Sequence, residues 1–551
     1  MVKTLRDCCL ASIARNISTI SRLGTFLSVR DKEILLERLC WHGLLTTQSI
    51  PYVTYHLFSD TLQRVNLSYC NQVDDKLLEV LSQSGCRPKH VTVHDCPNVT
   101  NRGVICLSKI LWDVEELKLR RLKHITSEGI QSIASKGLKY LNLRRCDGIT
   151  DDGLIAVIRN CPNIERLNVC RLHKLTDVSI VYVAETLGSK LVELDARELT
   201  LITSKSTMAI GDYCSNLTRA VFESCVRLEG DGLIHITTHC PLAYLDLSLC
   251  YKVGKEDMTN VVASIKARNS LQHFVCIGGT VSTVCIEVLS STPSLTHLCL
   301  CGIQELSDEM IGMITQLAGR HLVELDVSNC LQLTDLSCSS IADHCQRLEV
   351  LGLMHLGEVR GTELSRLFLD KRAKKLKSVS LSGTTNLPIS VIRTLVENCP
   401  NLEVLNLAGM KTLTDEIAFS VAAHCPNLKQ VCFRNSKLTD LGVCQIAIHC
   451  PNLVMVGLAG IHDLTDKCIM ALAENCPYLD EVYLSGCAKI TKQAVTYLVD
   501  CAIYWLYVNH TTPNAPFGLL MAKDLDKGEY TRVDDLPLEP LVGRTNSMQL
   551  P

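Results

Sequence analysis

Histidine and cysteine stand side by side at His239-Cys240, His344-Cys345, His424-Cys425 and His449-Cys450, a pairing of two zinc-ligand types that can also serve thiol catalysis. A second group is cationic. Lys118, Arg120, Arg121, Arg144, Arg145, Arg166, Arg171 and Arg197 recur at related places in successive stretches, where guanidinium forks could hold carboxylate or phosphate. A third is the run TLRDCCLASI, which sets Leu5, Cys9 and Ile13 four residues apart behind Thr4. On a helix that spacing makes a narrow apolar stripe suited to a partner's groove. What each group can do depends on the elements that carry it.

Short Leu-x-Leu-like triplets return through most of the 551 residues: near Val65, Val91, Leu117, Leu141, Leu167, Leu194, Ala220, Leu245, Phe274, Leu298, Leu325, Leu351, Val379, Leu405, Val431, Val456, Val482 and Leu506. They define about 18 units, 24 to 29 residues apart, which is the period of a leucine-rich repeat. Residues 402 to 428, LEVLNLAGMKTLTDEIAFSVAAHCPNL, show one unit in full. Leu405 and Leu407 alternate around Asn406 as a short strand with one face in the core. Thr414 stands where a helix N-cap is wanted, and Asp415 puts a negative charge in the first turn, where the helix dipole favours it. Helical spacing runs through Ile417, Val421 and Ala422 until Cys425-Pro426 stops it. The Thr-Asp step returns at Thr150, Thr176, Thr334, Thr439 and Thr465, and the Cys-Pro stop at Cys161, Cys240, Cys399, Cys450 and Cys476. One unit cannot cover its own apolar face, so the units must stack. The expected fold is α/β, a leucine-rich repeat solenoid (horseshoe) with an N-terminal helical cap.

The period also accounts for most of the 30 cysteines. One slot follows the strand (Cys70, Cys96, Cys146, Cys225, Cys250, Cys330, Cys487) and another ends the helix, so these side chains read as small buried hydrophobes. A histidine before the second slot suits a helix C-terminus. No Cys-x-x-Cys pair completes a zinc set, no phosphate-binding Gly-x-x-x-x-Gly-Lys loop occurs, and Gly278-Gly279 reads as a turn. The chain is therefore expected to be no enzyme and to need no cofactor or metal. With 47% hydrophobic residues but no apolar run of membrane length and no export signal, it reads as intracellular, cytoplasmic and/or nuclear. A net charge of −3 gives no bulk reason to expect nucleic acid or a membrane as partner.

The repeated Cys-Pro-Asn-Leu and Leu-Thr-Asp elements resemble the cysteine-containing leucine-rich repeats of F-box proteins and of the antagonist-of-mitotic-exit-network family. Residues 1–61 stand apart as a helical cap or adaptor-docking segment, 62–509 as the solenoid, and 510–551 as a closing cap and mobile tail. In the first segment Ile34, Leu35, Leu39 and Leu44 give one helix an apolar side. Thr4, Leu5, Cys9 and Ile13 resemble the BC-box by which cullin-ligase substrate receptors dock on elongin C, as in receptors of the Zyg-eleven type. In Phe26 to Leu39, Ser28 stands where a cullin-selecting box has proline, and the segment lacks the Leu-Pro opening of an F-box. The resemblance implies a substrate-recognition subunit of a cullin-RING ubiquitin ligase, with elongin B/C or another cullin adaptor as one partner and a protein substrate as the other. The alternative is a non-ligase scaffold or inhibitor whose first segment only seals the core.

The cationic residues named above are expected to line the concave strand face of the third to sixth units, interrupted by Glu116, Glu193, Asp195 and Glu198, and to recognise an acidic or phosphorylated peptide. Further on, the same columns turn apolar or thiol-rich at Cys299, Cys301, Gly352, Met354, Ala408, Cys432, Met455 and Gly457. The run Lys371, Arg372, Lys374, Lys375 and Lys377 reads as a solvated helix end or a nuclear import signal.

Overall fold

The computed structural model describes residues 5–20, 23–24, 26–41, 44–46, 48–266, 270–501 and 507–509. Thr4, the side chain of Leu5, Leu506 and the expected tail 510–551 lie outside the described residues. The described residues fall into two compact units, divided after Leu289.

The first unit opens with helices Leu5–Arg15, Val29–Trp41 and Ile50–His56. Nine strands follow, from Arg64–Ser68 to His273–Val275, each succeeded by a helix. They are parallel and stay in register through Val65, Val91, Leu117, Leu141, Leu167, Leu194, Ala220, Leu245 and Phe274, all buried. The second unit repeats the plan from His297–Cys299 to Tyr507–Asn509, with Leu298, Leu325, Leu351, Val379, Leu405, Val431, Val456, Val482 and Val508 in one row. The last partner in that row is Val508, two residues beyond the triplet expected at Leu506.

The threonines expected as caps all occupy N-cap positions. The aspartate after each does more than meet the helix dipole. Its carboxylate reaches the next unit: Asp440 accepts the Thr465 N–H at 2.8 Å and the Thr465 hydroxyl at 2.5 Å. Asp75–Thr100, Asp151–Thr176, Asp177–Thr203, Asp308–Thr334, Asp415–Thr439 and Asp466–Thr491 repeat the pair. Burial opposes the charge on Asp177, yet the Ser206 hydroxyl and the Thr203 donors hold its carboxyl below the usual aspartate range. Asp440→Ala should lower stability by about 1.5–3 kcal/mol, the worth of hydrogen bonds to a charged acceptor, in a denaturant titration with unchanged slope.

The strand-end cysteines form a second ladder. The thiols of Cys96, Cys146, Cys225, Cys250, Cys330 and Cys487 each donate to a carbonyl in or just after the strand of the preceding unit at 3.0–3.2 Å. The helix-end thiols reach instead to the helix end of the preceding unit at longer range, as from Cys450 to the Cys425 carbonyl at 3.4 Å. Burial pushes Cys146, Cys399, Cys425 and Cys450 up to about 12, far from a reactive thiolate at neutral pH. The ring nitrogens of His239, His344, His424 and His449 lie 2.8–3.0 Å from the carbonyl four residues back, which ties each ring to its own helix end.

Candidate interaction surfaces

The first strand of a parallel stack exposes an unpaired edge, and the helix Val29–Trp41 covers it. Its buried face is Leu35, Leu36, Leu39 and Cys40, whereas Ile34 and Leu44, expected there, are half-buried. Glu33 accepts the N–H of Arg64 at 2.9 Å, and Glu37 accepts the side-chain amide of Asn66 at 3.3 Å, so two carboxylates serve donors of strand Arg64–Ser68. Ser28 precedes this helix, and its hydroxyl oxygen accepts the Asp31 N–H at 3.1 Å. The serine at the expected proline position is thus a helix cap.

Helix Leu5–Arg15 packs on the capping helix, with Arg6 forked onto Asp31 at 2.7 and 2.9 Å. It and the turn after it bury Leu10, Ala14 and Ile17. Cys9 is exposed and Ile13 half-buried, so the stripe expected to dock an adaptor is offset from the one that holds the helix in place. Phe26 and Tyr55, in the same N-terminal segment, are 82% and 78% exposed.

The cationic residues do not form one uniform wall. Lys118, Arg120 and Arg166 lie on strands, whereas Arg121, Arg145 and Arg171 occupy left-handed turn positions just after them, at φ of 53°, 58° and 62°. Much of the charge is neutralised locally. Arg166 and Lys118 both meet Glu116, at 2.9 and 3.4 Å, with Tyr140 beneath both cations. Arg171 meets Glu198, Arg197 meets Asp195 at 2.7 Å and Glu223 at 3.8 Å, and Arg121 lies 3.7 Å from Asp95.

Arg120 differs. Its Nη2 lies 3.1 Å from Nδ1 of His94, its partner in strand register, and its buried Nε has no hydrogen-bond partner among the described residues. The His94 ring leans on Tyr69 at 4.4 Å. Burial and the charges of Arg120, Arg121 and Arg144 hold this histidine near pH 2, a neutral acceptor among cations. His94 and Tyr69 escape a sequence search for charge, although the register that aligns His94 with Arg120 follows from the repeat spacing. The later lysine run is built into its connection: Arg372 binds Asp370 at 2.8 Å and the Ala342 carbonyl at 2.9 Å, and Lys377 binds Glu349 at 2.7 Å.

The stacked strand–helix units agree with a match to the family described as Leucine Rich repeat, over residues 137–157. The repeats are leucine-rich repeats. DNA repair protein rhp7 of Schizosaccharomyces pombe is 31% identical over 109 residues, which cover 15% of this chain and 19% of that protein, so the match spans about a fifth of its relative's length. Among solved structures, the Rad7 and Elc1 complex in yeast aligns over 90% of this chain and 96% of its own at 17% identity, with a TM-score of 0.44. An internalin of Listeria monocytogenes aligns over 68% and 88% at 17% identity, with a TM-score of 0.35. Among the described residues no helix is long and apolar enough to cross a membrane.

Proposed function

We propose that the chain is a substrate receptor of a cullin-RING ubiquitin ligase, working in the cytoplasm or nucleus, and that its first helix grips an elongin C-type adaptor. The observation that carries this reading is the division of labour at the N-terminus. The second helix seals the first strand, while the first helix is held by Leu10, Ala14 and Arg6 and turns Cys9 outward. A helix needed only as a seal would have its apolar stripes covered. The receptor transfers nothing; it brings a target close to the ligase.

The target is read as a protein bearing an acidic or phosphorylated segment, held on the strand face around Arg120. Paired cations such as Arg166 and Arg197 set the rim, and Arg120 faces the His94 ring with no carboxylate ion pair among the described residues. A phosphate or carboxylate there would complete a guanidinium fork. Arg120→Glu should weaken capture of an acidic or phosphorylated partner by about tenfold or more, on the scale of a charge-assisted hydrogen bond, and Arg166→Glu should weaken it less. The measurement is quantitative affinity enrichment of cell-lysate phosphopeptides on wild-type and variant chains. Equal enrichment by both would end the assignment of the target face.

A further inference from the structure

We propose that Cys299, Cys301 and Asp326 form a binding site for one divalent metal ion of the zinc class. Strand alternation puts Leu298 and Leu300 in the core and turns Cys299 and Cys301 to the opposite face, where their sulfurs lie 3.3 Å apart. Asp326 stands directly across from Cys299 on the next strand. One ligand atom from each of the three falls within 4.8 Å of the other two. Zinc bonds of about 2.3 Å to sulfur and about 2.1 Å to oxygen place tetrahedral ligands about 3.6–3.8 Å apart, so the set needs only small side-chain adjustments.

The electrostatics point the same way. Asp326 is 1% exposed; its Oδ1 accepts the Ser328 N–H at 3.0 Å, and its Oδ2 is buried with no hydrogen-bond partner among the described residues. In the first unit the corresponding strand carboxylate, Asp195, is clasped by Arg197 two residues on, at 2.7 and 3.0 Å. Two residues after Asp326 the chain has Ser328, which brings no charge. Gly352, on the following strand, leaves room for the carboxylate, since a Cβ there would collide with it. A buried carboxylate oxygen without a donor is costly, and a cation shared with two thiolates removes the cost. Two sulfur ligands and one oxygen favour a zinc-type ion over magnesium or calcium. Binding displaces the two thiol protons to solvent and leaves the fourth position to water.

The test is titration of the reduced full chain with Co2+ under anaerobic conditions. One equivalent should produce thiolate-to-cobalt charge-transfer absorption in the near ultraviolet, and Zn2+ should bleach it. Cys299→Ser should remove much of the band, Asp326→Asn should weaken binding at least about tenfold, and Cys444→Ser should change neither. A wild-type measurement guards against misfolded variants: Zn2+ should protect the half-buried Cys299 from alkylation and leave Cys444 reactive. The site is disproved by a wild-type chain that shows no charge-transfer band, by a band that survives in folded Cys299→Ser, or by alkylation of Cys299 that Zn2+ leaves unchanged.

Discussion

Changing Cys9 and Ile13 to glutamate is expected to abolish capture of an elongin C-type adaptor while the repeats stay folded. Cys9 is exposed and Ile13 half-buried, so neither change inserts charge into the packed side of the helix. In a complex the same stripe would lie in an apolar groove, where one misplaced charge removes a central anchor and leaves an unpaired ion in a dry contact. Losses at such anchors run to about 2–4 kcal/mol, which corresponds to a roughly 30- to 1,000-fold weaker complex. Calorimetric titration with purified adaptor gives the affinity, and circular dichroism verifies the fold. Undiminished affinity in the double variant would assign the first helix to another task.

The capping helix should behave in the opposite way. Leu39 is fully buried, and its helix supplies the carboxylates that serve the first strand. Leu39→Ala should cost about 2–5 kcal/mol through lost burial and the cavity left behind. Because each unit is supported by its neighbours, opening the cap frees the edge of strand Arg64–Ser68 before the later strands of its unit. Hydrogen exchange should therefore quicken at Val65 and Leu67 well ahead of Leu167. Uniform quickening across the unit would mean that the cap is not a separate layer of support.

The difference between these two helices shows what was legible in the sequence. The strand rows from Val65 to Phe274 and from Leu298 to Val482 could be read directly, because burial of one residue per strand forces a strict period. The Thr-Asp step was legible as a cap, but its larger role was hidden: Asp440 serves Thr465, 25 residues away, and only stacking brings them together. The cationic wall could be recognised by residue type, whereas its division into paired and unpaired members depends on partners from other strands, as with Glu116 and Arg166, 50 residues apart. Cys299 and Cys301 were visible as a thiol-rich column. Their meeting with Asp326 was not, because an aspartate in that strand position recurs at Asp195 and Asp246 and looks like scaffold until its neighbours are seen.

The central claim is that the first helix is a docking element set on a sealed repeat array. Hydrogen–deuterium exchange of the intact wild-type chain, alone and with the elongin B–C complex, tests it most directly. The account predicts new protection confined to residues 5–15 and the segment beside them, with strands Arg64–Ser68 and Glu116–Arg120 unchanged. An elongin complex that fails to bind, or that binds and leaves residues 5–15 exchanging as freely as before, would contradict it.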